Sequence, residues 1–187
     1  LFKVAGDKPP GLWRAVFPTD TAQSDEEVMS DEAVQSRMHK FFPKDGDYNI
    51  VHRNVYVINQ RVASTFRQGR ILLAGDSAHL NNSIGGMGLN GGIHDAINAT
   101  DKLIKVWQGE TDESALDLYD IQRRTTTHEF TQAQSIANKK RLETKDDATR
   151  KTNLAELSAM AADPERSKNF MMGTSMLSAV RRAATLE

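Results

Sequence analysis

The sequence predicts an α/β chain, more closely an α+β fragment, in which a short sheet and a strand-loop-helix unit precede carboxy-terminal helices. Three observations lead to this fold class. Residues 48–66 place β-branched and apolar residues among polar ones, which is typical of extended segments. The run 70–76 is almost wholly apolar and ends in Gly-Asp, ahead of a glycine-rich loop. From residue 93 onward, apolar residues keep helical spacing.

The amino-terminal elements follow from local signals. Residues 11–19 mix aromatic and β-branched residues and stop at a proline, which predicts a strand. A capping-box pattern begins at Ser24, and a second helix start at Ser30 precedes apolar residues spaced for one helical face. Pro, Asp and Gly in residues 43–47 end that helix.

The central segment is predicted to be extended. We expect two extended stretches, residues 49–53 and 54–63, and a turn at Gln68-Gly69. The apolar run 70–76 that follows fits a strand buried on both faces.

The second half of the chain is predicted to be helical. One helix runs from the glycines at 85–92 to a C-cap at Gly109, and another starts at residues 111–113. On the latter we expect one apolar side made of Leu116, Tyr119, Phe130, Ala133 and Ala137. Residues 145–185 are predicted as helices interrupted near Asp163-Pro164 and Gly173, with methionines 160, 171, 172 and 176 filling a packing interface.

Composition excludes several classes of function. The chain has 187 residues, enough for one domain and a second partial one, with 39% apolar and 26% charged residues. The 24 basic and 25 acidic residues nearly cancel, so we expect neither nucleic acid nor an anionic membrane as a partner. The absence of cysteine excludes disulfides and thiolate chemistry and is compatible with the cytoplasm. The ends, Leu1 and Leu186-Glu187, lead us to expect a fragment.

The residues that carry chemistry lie between 69 and 98. A strand delivers Asp76 at its carboxyl end, where α/β proteins place ligands. A glycine-rich loop then runs into a helix, whose first N–H groups and positive dipole end suit an electron-rich group. Together they predict an acceptor for hydroxyls beside a cluster of donors.

Three other interpretations of the glycines are possible. Residues 86–91 satisfy G-x-G-x-x-G, but the dinucleotide fingerprint requires its glycines directly after a strand, whereas a loop from Ser77 intervenes here. A phosphate-binding P-loop fails because no Lys-Ser/Thr pair follows. The remaining alternative is that the glycines only permit a tight turn and close packing.

The ordered set of motifs resembles the second flavin-binding motif of the para-hydroxybenzoate hydroxylase family, the single-component FAD monooxygenases. The family pattern G-D-A-A-H…P-x-G-G-x-G-x-N…D-A stands here as residues 75–79, 85–90 and 95–96, and the resemblance covers roughly residues 11–134. The chain departs from it in having Asn82-Ser83-Ile84 where the family has proline. The family's amino-terminal G-x-G-x-x-G, which holds the ADP half of FAD, and its D-G segment are absent from the sequence.

The resemblance implies specific roles. Asp76 would bind the ribityl hydroxyls of FAD, and backbone N–H groups around Gly88, Leu89 and Asn90 would face the N1/O2 edge of the flavin. The expected cofactor-binding residues are Gly75, Asp76, Gly85, Gly86, Gly88, Leu89 and Asn90, with no catalytic residue and no metal site. Residues 1–66 would be part of the sheet and helix of the substrate-binding domain, 67–110 the flavin-binding strand-loop-helix, and 111–187 the carboxy-terminal helical region.

The chemistry of such a family belongs to the cofactor: NAD(P)H reduces the flavin, and O2 then reacts with it to hydroxylate an aromatic ring. We therefore expect an inactive fragment of an FAD- and NAD(P)H-dependent aromatic hydroxylase. The alternatives are another flavoprotein with the same motif (an epoxidase, halogenase or reductase), or a non-catalytic module that forms a homo-oligomer through its methionine-rich tail.

Single residues have simpler interpretations. We expect His79 to order its own loop through backbone hydrogen bonds, and Asp95 to stabilise the amino-terminal end of its helix. His52, His94 and His128 have no partners at metal-ligand spacing.

Overall fold

The computed structural model describes residues 1–6 and 10–187, which divide into two units, residues 1–57 and residues 58–187. No helix of these described residues is both long enough and apolar enough to cross a membrane. The mixture of short strands and helices confirms the predicted α+β class.

The first unit contains a short antiparallel pair and two helices: β1 (Phe2–Val4), β2 (Leu12–Arg14), α1 (Asp25–Val28) and α2 (Asp31–Phe41). The strand predicted at 11–19 is confirmed, although only three of its residues pair. Both predicted helix starts are also confirmed. Ser24 and Glu27 form a reciprocal capping box, and the Ser30 side chain accepts from the backbone of Ala33.

The extended stretches predicted at 49–53 and 54–63 are mostly wrong. Only Arg61–Val62 (β3) forms a strand, and residues 49–60 have no regular secondary structure. A strand needs a neighbour that supplies hydrogen bonds. The ladder of β3 is two residues long, against His79–Leu80 (β6), and the described residues offer no partner to 49–60. The alternating pattern indicates that side chains repeat with the period of a strand, but it does not show whether a neighbouring strand is present.

The apolar run forms one arm of a tight hairpin. Arg67–Gln68 (β4) pairs with Ile71–Leu72 (β5) across the predicted turn, where Gly69 has a φ of +60°. The expectation of burial on both faces is wrong, because Ile71 is 66% exposed. Among the described residues β4 is the only strand beside it, so the opposite edge is open.

The rest of the second unit is helical. The helices are α3 (Met87–Trp107), α4 (Ala115–Thr126), a π-helical turn (Thr127–Gln132), α5 (Ala133–Glu143), α6 (Asp147–Ala162), α7 (Pro164–Thr174) and α8 (Leu177–Ala183). The predicted breaks are confirmed. Gly109 adopts a φ of +72° after α3, and Asp163 caps the helix that begins at Pro164.

Two small apolar clusters hold this unit together. One contains Phe66, Ala78, Ala99 and Tyr119, and the other contains Met87, Met176 and Ala179 with Phe130 against them. The Met176 side chain therefore packs between helices as predicted, whereas Met171 is 61% exposed. The Tyr119 hydroxyl donates to the carbonyl of Leu73, which fastens α4 to the segment that follows β5.

The predicted apolar side of α4 and α5 is only half right. Leu116 and Tyr119 are buried, but Ala133 and Ala137 are exposed and line an open hollow of about 190 Å³ beside Gly173. The buried positions of this stretch are polar instead: Thr127, Thr131, Gln132 and Ser135. The π-helical turn explains the difference, because its wider winding rotates α5 relative to the face that a uniform 3.6-residue period predicts.

Candidate functional site

Asp76 lies in an exposed turn between β5 and β6. A 3-10 turn, Gly75–Ser77, carries it, and Gly75 enters that turn with a φ of +60° that favours glycine. The Asp76 carboxylate is exposed and has no hydrogen-bond partner among the described residues. It lines an open hollow of about 260 Å³ together with Arg61, Val62 and residues 77–80. This carboxylate is thus free to accept hydrogen bonds from a ligand.

The start of α3 presents unused donors. Its N-cap is Gly86, which has a left-handed conformation (φ +64°) and no side chain to cap the helix, and the first turn contains no acidic residue. In a helix that begins at Met87, the N–H groups of Met87, Gly88 and Leu89 have no intrahelical acceptor. The positive end of a 21-residue helix therefore opens onto uncapped donors.

The glycines at the start of α3 have two different structural roles. Gly85 and Gly86 both have positive φ, and a Cβ at Gly86 would meet open space. In contrast, a Cβ at Gly91 would lie 3.1 Å from the His79 ring, and one at Gly92 would lie 3.1 Å from the Cα of Gly75. The close-packing interpretation therefore fits Gly91 and Gly92, while Gly86 shapes the open helix start.

Asp95 is the centre of a buried polar cluster. Its carboxylate is fully buried and accepts from Arg123 Nε at 2.7 Å and from the backbone N–H of Gly75 at 3.0 Å, and it lies 2.8 Å from His79 Nε2. Burial raises the pKa of Asp95, but the hydrogen bonds from His79 and Arg123 outweigh it and hold the pKa below its ordinary value. The expectation that Asp95 stabilises the helix end is wrong, since it is the ninth helical residue, beyond the reach of the terminal charge.

A comparison with known families settles what kind of protein carries this arrangement. The sequence matches the family described as FAD binding domain over residues 7–134. The chain belongs to the family of FAD-dependent aromatic monooxygenases. The resemblance drawn from the motifs is confirmed.

Relatives of this flavoprotein chain are aromatic hydroxylases by name. It is 34% identical over 174 residues to para-nitrophenol 4-monooxygenase of Pseudomonas sp. (strain WBC-3), covering 91% of this chain and 43% of that protein. It is 39% identical over 114 residues to 3-(3-hydroxy-phenyl)propionate/3-hydroxycinnamic acid hydroxylase of Mycolicibacterium smegmatis, covering 61% and 20%. The crystal structure of p-nitrophenol 4-monooxygenase from Pseudomonas putida matches with a TM-score of 0.72 and 30% identity, covering 82% and 39%. The chain thus spans less than half the length of these relatives.

His79 supports the flavoprotein motif from within. Its ring stacks on Phe66 with centroids 6.0 Å apart, and its Nε2 faces the Asp95 carboxylate. Because a carboxylate only accepts, Nε2 carries the proton, and Nδ1 is left buried without a partner among the described residues. The expectation of backbone hydrogen bonds is wrong: His79 is bound through the Asp95 side chain. No group of three or more possible metal-binding residues occurs in the described part of the chain.

The loop before α3 differs from the flavoprotein pattern, and its own hydrogen bonds hold it. The buried Asn82 donates to Gln60 Oε1 and to the carbonyl of Ser135, and its Oδ1 accepts from the backbone N–H of Ile84. Asn138 on α5 also donates to the carbonyl of Ile84. These amides fix the loop at the position where the family has proline.

The sequence did not reveal the supporting residues. Arg123, Gln132 and Ser135 are polar residues on long helices, and such residues ordinarily face water. Two signals were available in the sequence. Asp95 and Arg123 have opposite charge and lie on successive helices, and residues 119–124 resemble the family's Y-x-x-x-R-R helix. Neither signal showed that the two side chains meet.

Proposed function

We propose that this chain forms the part of an FAD-dependent aromatic hydroxylase that holds the ribityl chain and the N1/O2 edge of the flavin. The observation that carries the proposal is the open Asp76 carboxylate in the same unit as the uncapped start of α3. One offers an acceptor for hydroxyls and the other offers donors to an electron-rich ring edge. Membership of the FAD-binding family supports the choice of ligand.

Each residue of the proposed site has a stated task. Asp76 accepts hydrogen bonds from ribityl hydroxyls, and the N–H groups of Gly88 and Leu89 donate to the flavin edge. Asn90 acts through its side chain, which donates to the carbonyl of Gly86 at 2.9 Å and so fixes the helix start. Gly75, Gly85 and Gly86 shape the two backbone turns.

The helix start also favours one redox state of the flavin. A reduced flavin carries negative charge near N1, and a helix amino terminus stabilises such a charge by roughly 0.3–1 kcal/mol, or about 2 kcal/mol when partly buried. When bound, the flavin supplies the electron transfer and the reaction with O2. The chain's contribution is to bind the flavin, to orient it and to stabilise its charge.

For the whole protein we propose hydroxylation of a small aromatic substrate with NAD(P)H as the reductant, in the cytoplasm. The relatives named for nitrophenol and for hydroxyphenylpropionate both act on aromatic rings by their names, which favours this over an epoxidase, halogenase or reductase. We infer that the chain by itself does not turn over, since it spans 43% of its nitrophenol-oxidising relative.

Homo-oligomer formation is a second proposal with its own observation. Helix α3 exposes an apolar stripe that includes Leu89 (79% exposed), Ile97 (55%) and Trp107 (91%). An exposed stripe of this kind favours association. Sedimentation at micromolar concentration tests it, and a purely monomeric species would count against it.

The flavin proposal is tested by following backbone amide shifts of the labelled chain during titration with FAD up to millimolar concentration. We expect shifts at residues 75–77 and 86–90, and an affinity about tenfold weaker for Asp76→Ala, the typical effect of losing a hydrogen bond to a charged group. Asp101→Ala is the matched control, since Asp101 is an exposed aspartate farther along α3, and it should bind like the wild type. No shift at either segment at saturating FAD would overturn the proposal.

A further inference from the structure

The buried cluster around Asp95 connects the two halves of the proposed flavin site. Asp95 lies on α3, whose start carries the donor amides, and its Oδ2 binds the backbone N–H of Gly75, the residue directly before Asp76. The same oxygen lies 2.8 Å from His79 on β6, just after the turn. One carboxylate therefore holds the turn that carries Asp76 from both sides.

Backbone packing also holds the turn that carries Asp76 against α3. The Cα atoms of Gly75 and Gly92 lie close enough that a Cβ at Gly92 would come within 3.1 Å of Gly75. One residue earlier, Gly91 packs against the His79 ring. The first turns of α3 thus pack directly against the segment 75–79. Arg123 holds the other oxygen of the Asp95 carboxylate, since its Nε lies 2.7 Å from Asp95 Oδ1.

We propose that Asp95 is a positioning residue, which sets the place of Asp76 relative to the donor amides at the start of α3 and thereby sets the affinity for the ribityl chain. This inference rests on the proposed function of the site. Asp95 itself is fully buried and does not touch the ligand. It acts through the hydrogen bond that it accepts from the Gly75 N–H. Without that bond, the 3-10 turn would be free to rotate and to carry the Asp76 side chain away from the donor amides.

The decisive experiment compares two flavins that differ only at the ribityl chain. Riboflavin carries the ribityl hydroxyls, whereas lumiflavin has a methyl group in their place. The quantity measured is the initial slope of the backbone amide chemical shifts at residues 86–90, plotted against flavin concentration. For the variant Asp95→Asn we expect this slope to fall about fivefold to tenfold with riboflavin and to stay unchanged with lumiflavin. A general loosening of the site would weaken both ligands equally, so the contrast separates positioning from mere structural support.

A matched control exists one helix away. Asp120 on α4 also accepts a backbone N–H, that of Phe66 at 2.7 Å, and also pairs with an arginine, Arg124. Asp120→Asn removes the same kinds of contact from the segment at Phe66, and leaves the hydrogen bond to Gly75 in place, so it should leave the riboflavin response within twofold of wild type.

A double variant tests whether the effect passes through Asp76. If Asp95 works by placing Asp76, the riboflavin affinity of Asp76→Ala/Asp95→Asn should equal that of Asp76→Ala alone. Additive losses, or equal losses for both flavins, would overturn the positioning role and leave the flavin site intact. If the wild-type chain binds neither flavin, the proposed function fails first and the inference with it.

A second variant displaces the same turn without removing a charge. Gly92→Ala places a methyl group against the Gly75 backbone and pushes the turn away from α3. It should reproduce the selective loss for riboflavin, even if Asp95→Asn does not fold. Unchanged riboflavin binding by a folded Gly92→Ala chain would overturn the proposal.

Discussion

Replacing Arg123 by methionine should destabilise the second unit strongly, because it leaves a buried carboxylate without its ion-pair partner. The side chains of Arg123 and Asp95 are 3% and 0% exposed. Removing one member of a buried pair costs roughly 3–5 kcal/mol. Since Asp95 retains the Gly75 N–H and His79, we expect Arg123→Met to lower the free energy of unfolding by about 3 kcal/mol.

The assay is urea denaturation followed by circular dichroism at 222 nm, which reports mainly the helices of residues 87–183. The matched control is Arg124→Met. Arg124 is the next residue on α4, and it pairs with Asp120 at 2.9 Å, but its side chain is 35% exposed. Partly solvated pairs of this spacing contribute about 0.3–0.5 kcal/mol, so the control should change little.

The pH dependence supplies a second criterion. The lowered pKa of Asp95 means that its contribution to stability is present above its unfolded pKa of about 3.9 and is lost as the pH falls through the lower folded value. In Arg123→Met, Asp95 loses the hydrogen bond and the positive charge that lower its pKa, while burial still raises it. The pKa of Asp95 should therefore be higher than in the wild type. The stability difference between wild type and variant should then be largest near neutral pH and shrink in acid. A difference under 1 kcal/mol, or one independent of pH, would refute the reasoning.

Three further predictions concern packing and hydrogen bonding. Asn82→Ala should cost about 1–3 kcal/mol in urea denaturation, because it leaves buried hydrogen-bonding groups unpaired, and should speed amide exchange in residues 83–86; unchanged exchange there would contradict it. Met176→Ala should cost about 2–5 kcal/mol while Met171→Ala stays within about 0.5 kcal/mol, and equal thermal shifts for the two would contradict the packing described. Tyr119→Phe should cost about 1 kcal/mol by the same denaturation assay through the lost bond to Leu73, with no change expected if that bond does not form in solution.

Local chemistry made part of the fold predictable. The helix starts at Ser24 and Ser30 depend on contacts within three residues, so the pattern and the structure agree. The break at Asp163-Pro164 follows from the missing N–H of proline, again a local property. The motif from Gly75 to Asn90 was also readable, because its glycines and carboxylate have a fixed order along the chain.

Non-local contacts account for what the sequence did not predict. Residues 49–60 have the pattern of strands, but strand formation depends on a neighbour that no local pattern specifies. The helix-end role predicted for Asp95 is wrong because its partners, Arg123 and Gly75, are 28 and 20 residues away along the chain. The role predicted for His79 is wrong for the same reason, since its partner Asp95 lies 16 residues along the chain.

The π-helical turn at Thr127–Gln132 also bears on how this chain tolerates insertions and deletions. A wide turn stores a surplus residue inside a continuous helix, so losing one residue there would leave the helix intact as an ordinary α-helix. It would also leave the residues beyond it facing nearly the same way, because the six residues of the wide turn sweep about the same angle as five residues of an α-helix. Gln132, which donates to the carbonyl of Leu80, and Ser135, whose carbonyl accepts from Asn82, would still reach the loop they hold. Losing a second residue, with no surplus left, would rotate everything beyond it by about 100° and turn both residues away from that loop.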